Sequence, residues 1–411
     1  VGKRRSGVSR LSTSARLWWA LFAIALLAIN LRPGATSLGP VLAEVKQGLG
    51  INGTVAGVLT ALPGLAFAVF GAVAVSIGLR MGLTGALAAA GIVSTVGLLA
   101  RPFVDSALPF LLLSVLAFAG MAVGNVLVPA YIKETFPNRL AGVMSVYTIS
   151  LAIGATGSSM LSAPLSGIAP GGWRFALGIW GVAMALATIP WIVLAVSDRR
   201  RRVPADPDAP RLSGSIFAVV RSRKAIALAV FFGTQSMQAY VQFGWLAQMF
   251  RDGGLGATEA GWLVGLTAAL GVPAGFVMPV IAARVRDPRW VVVVLGALLV
   301  AGYLGVWLAP ATLPWLWATL LGVSSFAFAL SLALVTARTR DPHVTTQLSG
   351  FTQSVGYLFS AGGPLVVGVL FDLTHGWTVP LWFLLASAGL FTLSGVAAAR
   401  PGYVDDDLVR A

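Results

Sequence analysis

The chain has 411 residues, of which 57% are hydrophobic and only 10% are charged. Soluble proteins carry about 25% charged residues, so this composition excludes a soluble enzyme, a disordered scaffold and a collagen-like fibre. The sequence holds no Cys and two His, which excludes disulfides and thiol nucleophiles and leaves little material for a metal site. We therefore expect a polytopic membrane protein with no metal or other cofactor.

The net charge of +14 does not indicate a nucleic-acid partner. Nucleic-acid binders gather their basic residues on one soluble face, whereas here they form short clusters between long apolar runs. The first cluster lies in residues 1–16 and leads into an apolar run, with no small-residue cleavage site followed by a soluble domain. We interpret it as a cytoplasmic tail rather than as a signal peptide.

Twelve stretches are long and apolar enough to cross a bilayer core of about 30 Å, which needs about 20 residues. In chain order, the predicted spans are 17–43, 55–78, 83–102, 108–133, 139–165, 173–196, 222–249, 257–283, 289–309, 312–337, 345–372 and 376–399. A polar, Pro-rich and charged segment separates the sixth span from the seventh. The predicted organisation is a tail at 1–16, a six-helix bundle at 17–196, a cytoplasmic linker at 197–221, a second six-helix bundle at 222–399 and a tail at 400–411.

The Lys and Arg residues predict the orientation of these spans. With the N-terminus inside, 23 of the 28 fall in inside segments and four in outside segments, the latter being Lys46, Arg101, Arg174 and Arg251. The positive-inside rule then places both termini in the cytoplasm of a multi-pass protein in a bacterial cytoplasmic membrane.

The two halves carry an internal repeat with an offset of 204 or 205 residues. The matching landmarks are Gly57 and Gly261, Arg80 and Arg284, Pro137 and Pro342, and the pairs Gly172-Trp173 and Gly376-Trp377. Two like-oriented six-helix repeats of this kind place a substrate site near the midplane between the halves.

Arg32 is the one basic residue near the middle of a predicted span. An Arg at mid-membrane costs at least about 2.5–3.5 kcal/mol, so it normally marks a pathway or an ion pair. The helix break at Pro33-Gly34 is tolerated where a helix lines a cavity. Arg32, with Asn30 and Thr36 beside it, is our candidate anchor for an anionic or strongly dipolar substrate. The alternative is that Arg32 snorkels to the outer interface or pairs with Glu44.

Further polar side chains lie within the predicted spans, and they supply the other candidate substrate-binding residues. These are Asn125 in span 4, Tyr147 in span 5, Gln235, Gln238 and Gln242 on one face of span 7, and Gln353 and Tyr357 in span 11. Amides, hydroxyls and rings of this kind orient a small solute, or alternatively they hydrogen-bond between helices.

No acid and no His lies near the middle of a span. An intramembrane enzyme needs a nucleophile with a base or a set of metal ligands, so we expect no enzymatic activity. The same absence counts against a proton relay of the usual kind.

Three strings carry a family resemblance: Asn30-Leu31-Arg32-Pro33, the segment 124–130 (GNVLVPA) with Lys133, and the segment 353–357 (QSVGY). They resemble the motifs of the cyanate/2-nitroimidazole transporter family, a branch of the major facilitator superfamily. The resemblance implies a monomeric twelve-helix carrier of small solutes that works by alternating access, with spans 1, 4, 7 and 10 lining a central site. Asn30, Arg32, Asn125 and Gln353 fall on family motif positions.

Two features depart from the superfamily pattern. The loop after span 2 reads Leu79-Arg80-Met81-Gly82 and lacks the Asp that normally precedes Arg-x-Gly. We retain Arg80 and its repeat equivalent Arg284 as candidate gating residues, with Arg80 free to hydrogen-bond helix-end carbonyls. The Gly-Pro-rich motif of superfamily antiporters is poorly matched by Gly154–Pro164, which disfavours a drug/proton antiporter.

The leading hypothesis is a secondary active transporter that moves a small anionic or polar planar solute, cyanate-like or nitroimidazole-like. The first alternative is a broad-specificity exporter of drugs or nitro compounds, which the 13 Trp and 21 Phe residues permit. A more distant alternative is a membrane sensor that does not transport. Apart from the substrate, the expected partner is the lipid bilayer.

Overall fold

The computed structural model describes residues 13–199 and 216–410, and all regular structure within these ranges is helical. The predicted N-terminal tail, residues 1–16, lies mostly outside the described residues. So do residues 200–215 of the predicted linker 197–221, and residue 411.

Twelve long helices, α1 to α12, follow one another along the described chain. Their bounds are α1 Thr13–Asn30, α2 Gly53–Met81, α3 Leu83–Ala100, α4 Ala107–Thr135, α5 Leu140–Ile168, α6 Trp173–Arg199, α7 Arg223–Val241, α8 Ala257–Ala269 with Gly271–Arg284, α9 Arg289–Leu308, α10 Pro314–Ser324 with Phe326–Ala337, α11 Pro342–Thr374 and α12 Thr378–Ala399. Shorter helical pieces follow α1 (Pro33–Thr36, Gly39–Val41 and Leu42–Leu49), α7 (Gln242–Leu246 and Ala247–Asp252) and α12 (Val404–Arg410).

Eleven helical segments within the described residues are long and apolar enough to cross a membrane. The seventh predicted span, 222–249, is not among these eleven and is formed by α7, a π-helical turn at Gln242–Leu246 and the piece Ala247–Asp252. Amide and hydroxyl side chains make this span less apolar than the others. The predicted fold class, an all-helical membrane protein of twelve helices, is confirmed.

Side-chain caps fix where some of these helices begin. The Asn52 side chain accepts the N–H of Val55 (2.9 Å) at the start of α2. The Ser222 hydroxyl accepts the N–H of Ala225 (3.2 Å) at the start of α7. Each cap satisfies a backbone donor that has no partner within the helix.

The first six helices pack mainly with one another, and so do the last six. The two groups meet chiefly where α2 packs against α11 and where α5 packs against α8. Small residues allow the first of these contacts, because a Cβ added to Gly368 would lie 2.3 Å from the carbonyl oxygen of Gly53. Backbones that approach this closely leave no room for a side chain.

The chain turns sharply after α1, where Pro33 starts a single helical turn. The Leu38 N–H then donates to the Ala35 carbonyl (3.4 Å), which leaves the Gly34 carbonyl to another donor. Arg101 supplies it: both Nη atoms of this fully buried side chain donate to the Gly34 oxygen (3.2 Å each). Arg101, a residue that we predicted in an outside segment, is thus fully buried and stabilises the break in the first span.

Candidate functional site

A cavity of about 1310 Å³ lies between the two halves. It extends from Arg32 to Arg286, Arg338 and Tyr403, which lie at the end of the molecule where α8 and α10 finish. We call this the open end. The opposite end, which carries Glu44 and the start of α2, we call the closed end.

Seven of the ten predicted substrate-binding residues line this cavity: Arg32, Asn125, Tyr147, Gln235, Gln242, Gln353 and Tyr357. They come from the first span and from α4, α5, α7, α11 and the π-turn after α7. Residues that lie far apart in the chain therefore face one space.

The structure does not bring the other three, Asn30, Thr36 and Gln238, to the cavity wall. The Asn30 amide donates to the Leu26 carbonyl (2.9 Å) within α1. The Thr36 and Ser158 hydroxyls hydrogen-bond at 2.6 Å, which links the first span to α5.

Gln238 links three helices of the second half. Its amide nitrogen donates to the Ser387 hydroxyl (2.7 Å) on α12, and its oxygen accepts the hydroxyl of Tyr303 (2.6 Å) on α9. This arrangement is the interhelical bonding that the sequence left open as an alternative.

Arg80 and Arg284, the candidate gating residues, are both exposed at the ends of α2 and α8. Neither makes an ion pair or side-chain hydrogen bond with the described residues.

The Arg32 guanidinium is partly exposed to the cavity. It lies over the ring of Phe67, 5.7 Å from the ring centre. No carboxylate within the described residues lies within 4.0 Å of it, and Glu44, the alternative partner, instead pairs with Arg251. Arg32 is thus a cation held next to an aromatic face without a counter-ion from the described part of the protein.

Aromatic rings pack around Tyr357, which lines the cavity. Phe67 and Tyr357 stack with ring centres 5.8 Å apart and planes at 29°, and Phe232 meets Tyr357 edge-on at 5.2 Å. Phe67 and Phe232 are buried behind Tyr357 and are not part of the cavity lining. Sequence reasoning did not single them out, because a Phe in an apolar span has no feature that separates a ring near a site from any other packing ring. A planar solute bound in the cavity would meet the Tyr357 ring.

Polar atoms complete the wall. The Tyr147 hydroxyl donates to the Asn125 side-chain oxygen (3.1 Å), and the Gln353 amide donates to the Ser349 hydroxyl (3.0 Å). The Gln235 side-chain oxygen is buried and has no hydrogen-bond partner among the described residues. Buried polar atoms of this kind are normally satisfied, so these positions suit a polar ligand or water.

The charges that line the cavity have one sign. Arg32, Arg286 and Arg338 line it, and the described lining contains no Asp, Glu, Lys or His. At the open end, burial lowers the pKa of Arg338, while Tyr403 and Asp287 raise it. Since an arginine stays protonated throughout the physiological range, the cavity is a basic chamber.

Ionic and polar contacts between the two halves shut the closed end. The Asp372 carboxylate, on α11, accepts the N–H groups of Gly53 (2.7 Å) and Thr54 (2.6 Å) at the start of α2. Arg251 and Glu44 form a two-pronged ion pair with N···O distances of 2.8 and 2.9 Å. Each contact joins one half of the chain to the other.

The sequence matches the family model described as Major Facilitator Superfamily over residues 17–364. It is 34% identical to an uncharacterized transporter, YycB, of Bacillus subtilis (strain 168), over 94% of this chain and 95% of the relative. It is 30% identical to the 2-nitroimidazole transporter of Escherichia coli (strain K12), over 92% of this chain and 94% of that protein. The cyanate transport protein CynX of the same organism is 26% identical, with 91% and 96% covered.

The fold is similar to that of a solved membrane transporter. A crystal structure of the nucleoside transporter NupG superposes with a TM-score of 0.73 at 14% identity, over 93% of this chain and 98% of that one. At this identity the similarity concerns the arrangement of the helices.

Proposed function

The chain belongs to the Major Facilitator Superfamily and is a membrane transporter, and we propose that it carries a small anionic or polar planar solute by alternating access. Solutes like cyanate or a nitroimidazole fit this description, and both are named in relatives of the chain. The expected setting is the bacterial cytoplasmic membrane, with both termini in the cytoplasm as the 23-to-4 distribution of basic residues favours.

The observation that carries this proposal is Arg32, which has no counter-ion among the described residues, inside the basic chamber. A guanidinium offers a planar fork of N–H donors to an anion or to the oxygens of a nitro group. Tyr357, which lines the cavity and stacks on the buried Phe67, offers a ring to a flat ligand, and Asn125, Gln235 and Gln353 supply amides that orient it.

Alternating access is supported by the different state of the two ends. The cavity reaches the open end, while contacts between the halves shut the closed end. A rocking of one half against the other would break the closed-end contacts and form new ones at the open end. Arg80 and Arg284 remain candidates for those new contacts.

Flux measurements test the proposal. Proteoliposomes should take up labelled cyanate or 2-nitroimidazole faster than protein-free vesicles, and Arg32→Ala should lose the uptake of the anion. No protein-dependent flux of either compound, with folded protein, would contradict the proposal. Uptake of several unrelated hydrophobic compounds that is insensitive to Arg32→Ala would favour the broad-specificity exporter instead.

A further inference from the structure

The interior cations of this protein fall into two groups according to their partners. Arg251 is paired with Glu44, and the fully buried Arg101 donates both Nη groups to the Gly34 carbonyl oxygen. Arg32 has neither an acid nor a hydrogen-bond acceptor within the described residues, and its guanidinium lies over the Phe67 ring.

The unpaired state of Arg32 is acceptable in the present conformation because the cavity gives water access to the guanidinium. Alternating access requires an intermediate in which both ends are shut. In that intermediate an empty carrier would enclose a cation whose chamber lining, as far as the chain is described, contributes two more arginines and no acid. Enclosing a charge without a partner is strongly unfavourable.

A bound anion removes this penalty because it supplies the missing countercharge. The anion also accepts the N–H groups that would otherwise lose their water on closure. The loaded carrier can therefore pass through the shut intermediate, whereas the empty carrier meets a barrier at that step.

We propose that this transporter is an obligatory exchanger of small anions. An anion carried in one direction lets the halves reorient, and they return only when a second anion occupies Arg32. This inference rests on the proposed function, since it assumes that Arg32 binds the transported solute.

Counterflow in proteoliposomes tests the exchange directly. The probe is labelled cyanate at pH 8, with potassium and valinomycin on both sides so that no membrane potential opposes net movement. We expect uptake into vesicles loaded with unlabelled cyanate to be at least about tenfold faster than uptake into vesicles loaded with sorbitol. Equal uptake into both kinds of vesicle would overturn the exchange and leave the proposed function intact. Protein-dependent uptake into neither would overturn the proposed function and, with it, the exchange.

A matched pair of variants tests the physical cause. The Phe67 ring centre lies 5.7 Å from the guanidinium carbon, so the carboxylate of a Glu at this position would lie near Arg32. Phe67→Glu supplies a resident countercharge, and Phe67→Gln has the same shape without it. The empty Phe67→Glu carrier should reorient, while Phe67→Gln should still require an anion.

Reorientation can be followed by the accessibility of position 60 to a thiol reagent. Thr60 lies buried in the small space between the cavity and the closed end. The chain has no Cys, so Thr60→Cys adds a single thiol. Cyanate should accelerate its labelling at least about fivefold in the otherwise wild-type protein and in Phe67→Gln. In Phe67→Glu the labelling should be fast without cyanate. Labelling that is independent of cyanate in the otherwise wild-type protein, or that needs cyanate equally in both variants, would overturn the proposed cause.

Discussion

Charged side chains at the closed end have partners within the protein, whereas Arg32 in the cavity has no acidic partner among the described residues. At the closed end, Asp372 accepts backbone N–H groups across the interface, and Arg251 is paired with Glu44. In the cavity, Arg32 has no acid among the described residues, and two further arginines line the same space. Paired charges hold two surfaces together, whereas an unpaired one leaves a place for a ligand. On this basis we propose that the closed end is a gate and that the cavity is the binding site.

The largest expected effect on the closed end comes from filling a close backbone contact between the two halves. In Gly368→Ala the new Cβ would lie 2.3 Å from the Gly53 carbonyl oxygen, so the closed packing cannot form unchanged. Overpacking costs about 1–3 kcal/mol, so the population of molecules in which the closed end has opened should rise by about 5- to 150-fold. The labelling rate of Thr60→Cys should rise accordingly. Gly362→Ala, on the same helix with no heavy atom within 4 Å of the added Cβ, should leave the rate unchanged.

Asp372→Asn should weaken the contacts at the closed end less than Gly368→Ala does. The amide keeps one oxygen for the N–H groups of Gly53 and Thr54 but presents an NH₂ group where the second oxygen was. Losing a helix cap costs about 0.5–2 kcal/mol, so Thr60→Cys should be labelled about 2- to 30-fold faster. Asp105→Asn is the control, because its carboxylate is exposed and pairs within the first half. Equal acceleration by both variants would show that charge, not the cap, governs the gate.

On the cavity side, Tyr147→Phe should weaken substrate binding without changing the gate. The Tyr147 hydroxyl holds the Asn125 side-chain oxygen at 3.1 Å, so its loss frees the amide to turn away. A hydrogen bond of this kind contributes about 0.5–1.5 kcal/mol, which predicts a rise in Kd of about 2- to 12-fold by calorimetric titration. Tyr131→Phe removes a hydroxyl outside the cavity lining and should leave Kd unchanged.

The smallest effect belongs to the ion pair between Glu44 and Arg251. Both side chains keep part of their surface exposed, 32% and 22% respectively, so solvent screens the pair. Exposed pairs contribute about 0.2–1 kcal/mol, and Glu44→Gln should accelerate Thr60→Cys labelling by no more than about fivefold. Adding salt should reduce the difference in labelling rate between Glu44→Gln and the wild type. Glu259→Gln, at the same end, should not change the labelling rate. A larger effect for Glu44→Gln than for Asp372→Asn would reverse the ranking of the two contacts.

The helices were predictable because each span carries its own apolar signal, and Arg32 stood out because a charge is costly inside a span. What the sequence could not provide is the set of neighbours. Gln238 and Gln242 have the same residue type and spacing pattern, yet Gln238 bonds to α9 and α12 while Gln242 lines the cavity. Arg101 looked like a loop cation because only the folded chain shows the Gly34 carbonyl that it satisfies.

Direct binding of cyanate to purified protein tests the central claim, that Arg32 is the unpaired cation that holds the substrate. Calorimetric titration compares wild type with Arg32→Gln and with Arg223→Gln, which removes an exposed arginine outside the cavity lining. Charge-assisted hydrogen bonds contribute about 1.5–3 kcal/mol, so Arg32→Gln should raise Kd by about 12- to 160-fold. Arg223→Gln should leave Kd unchanged. Equal affinity of the wild type and Arg32→Gln would contradict the account.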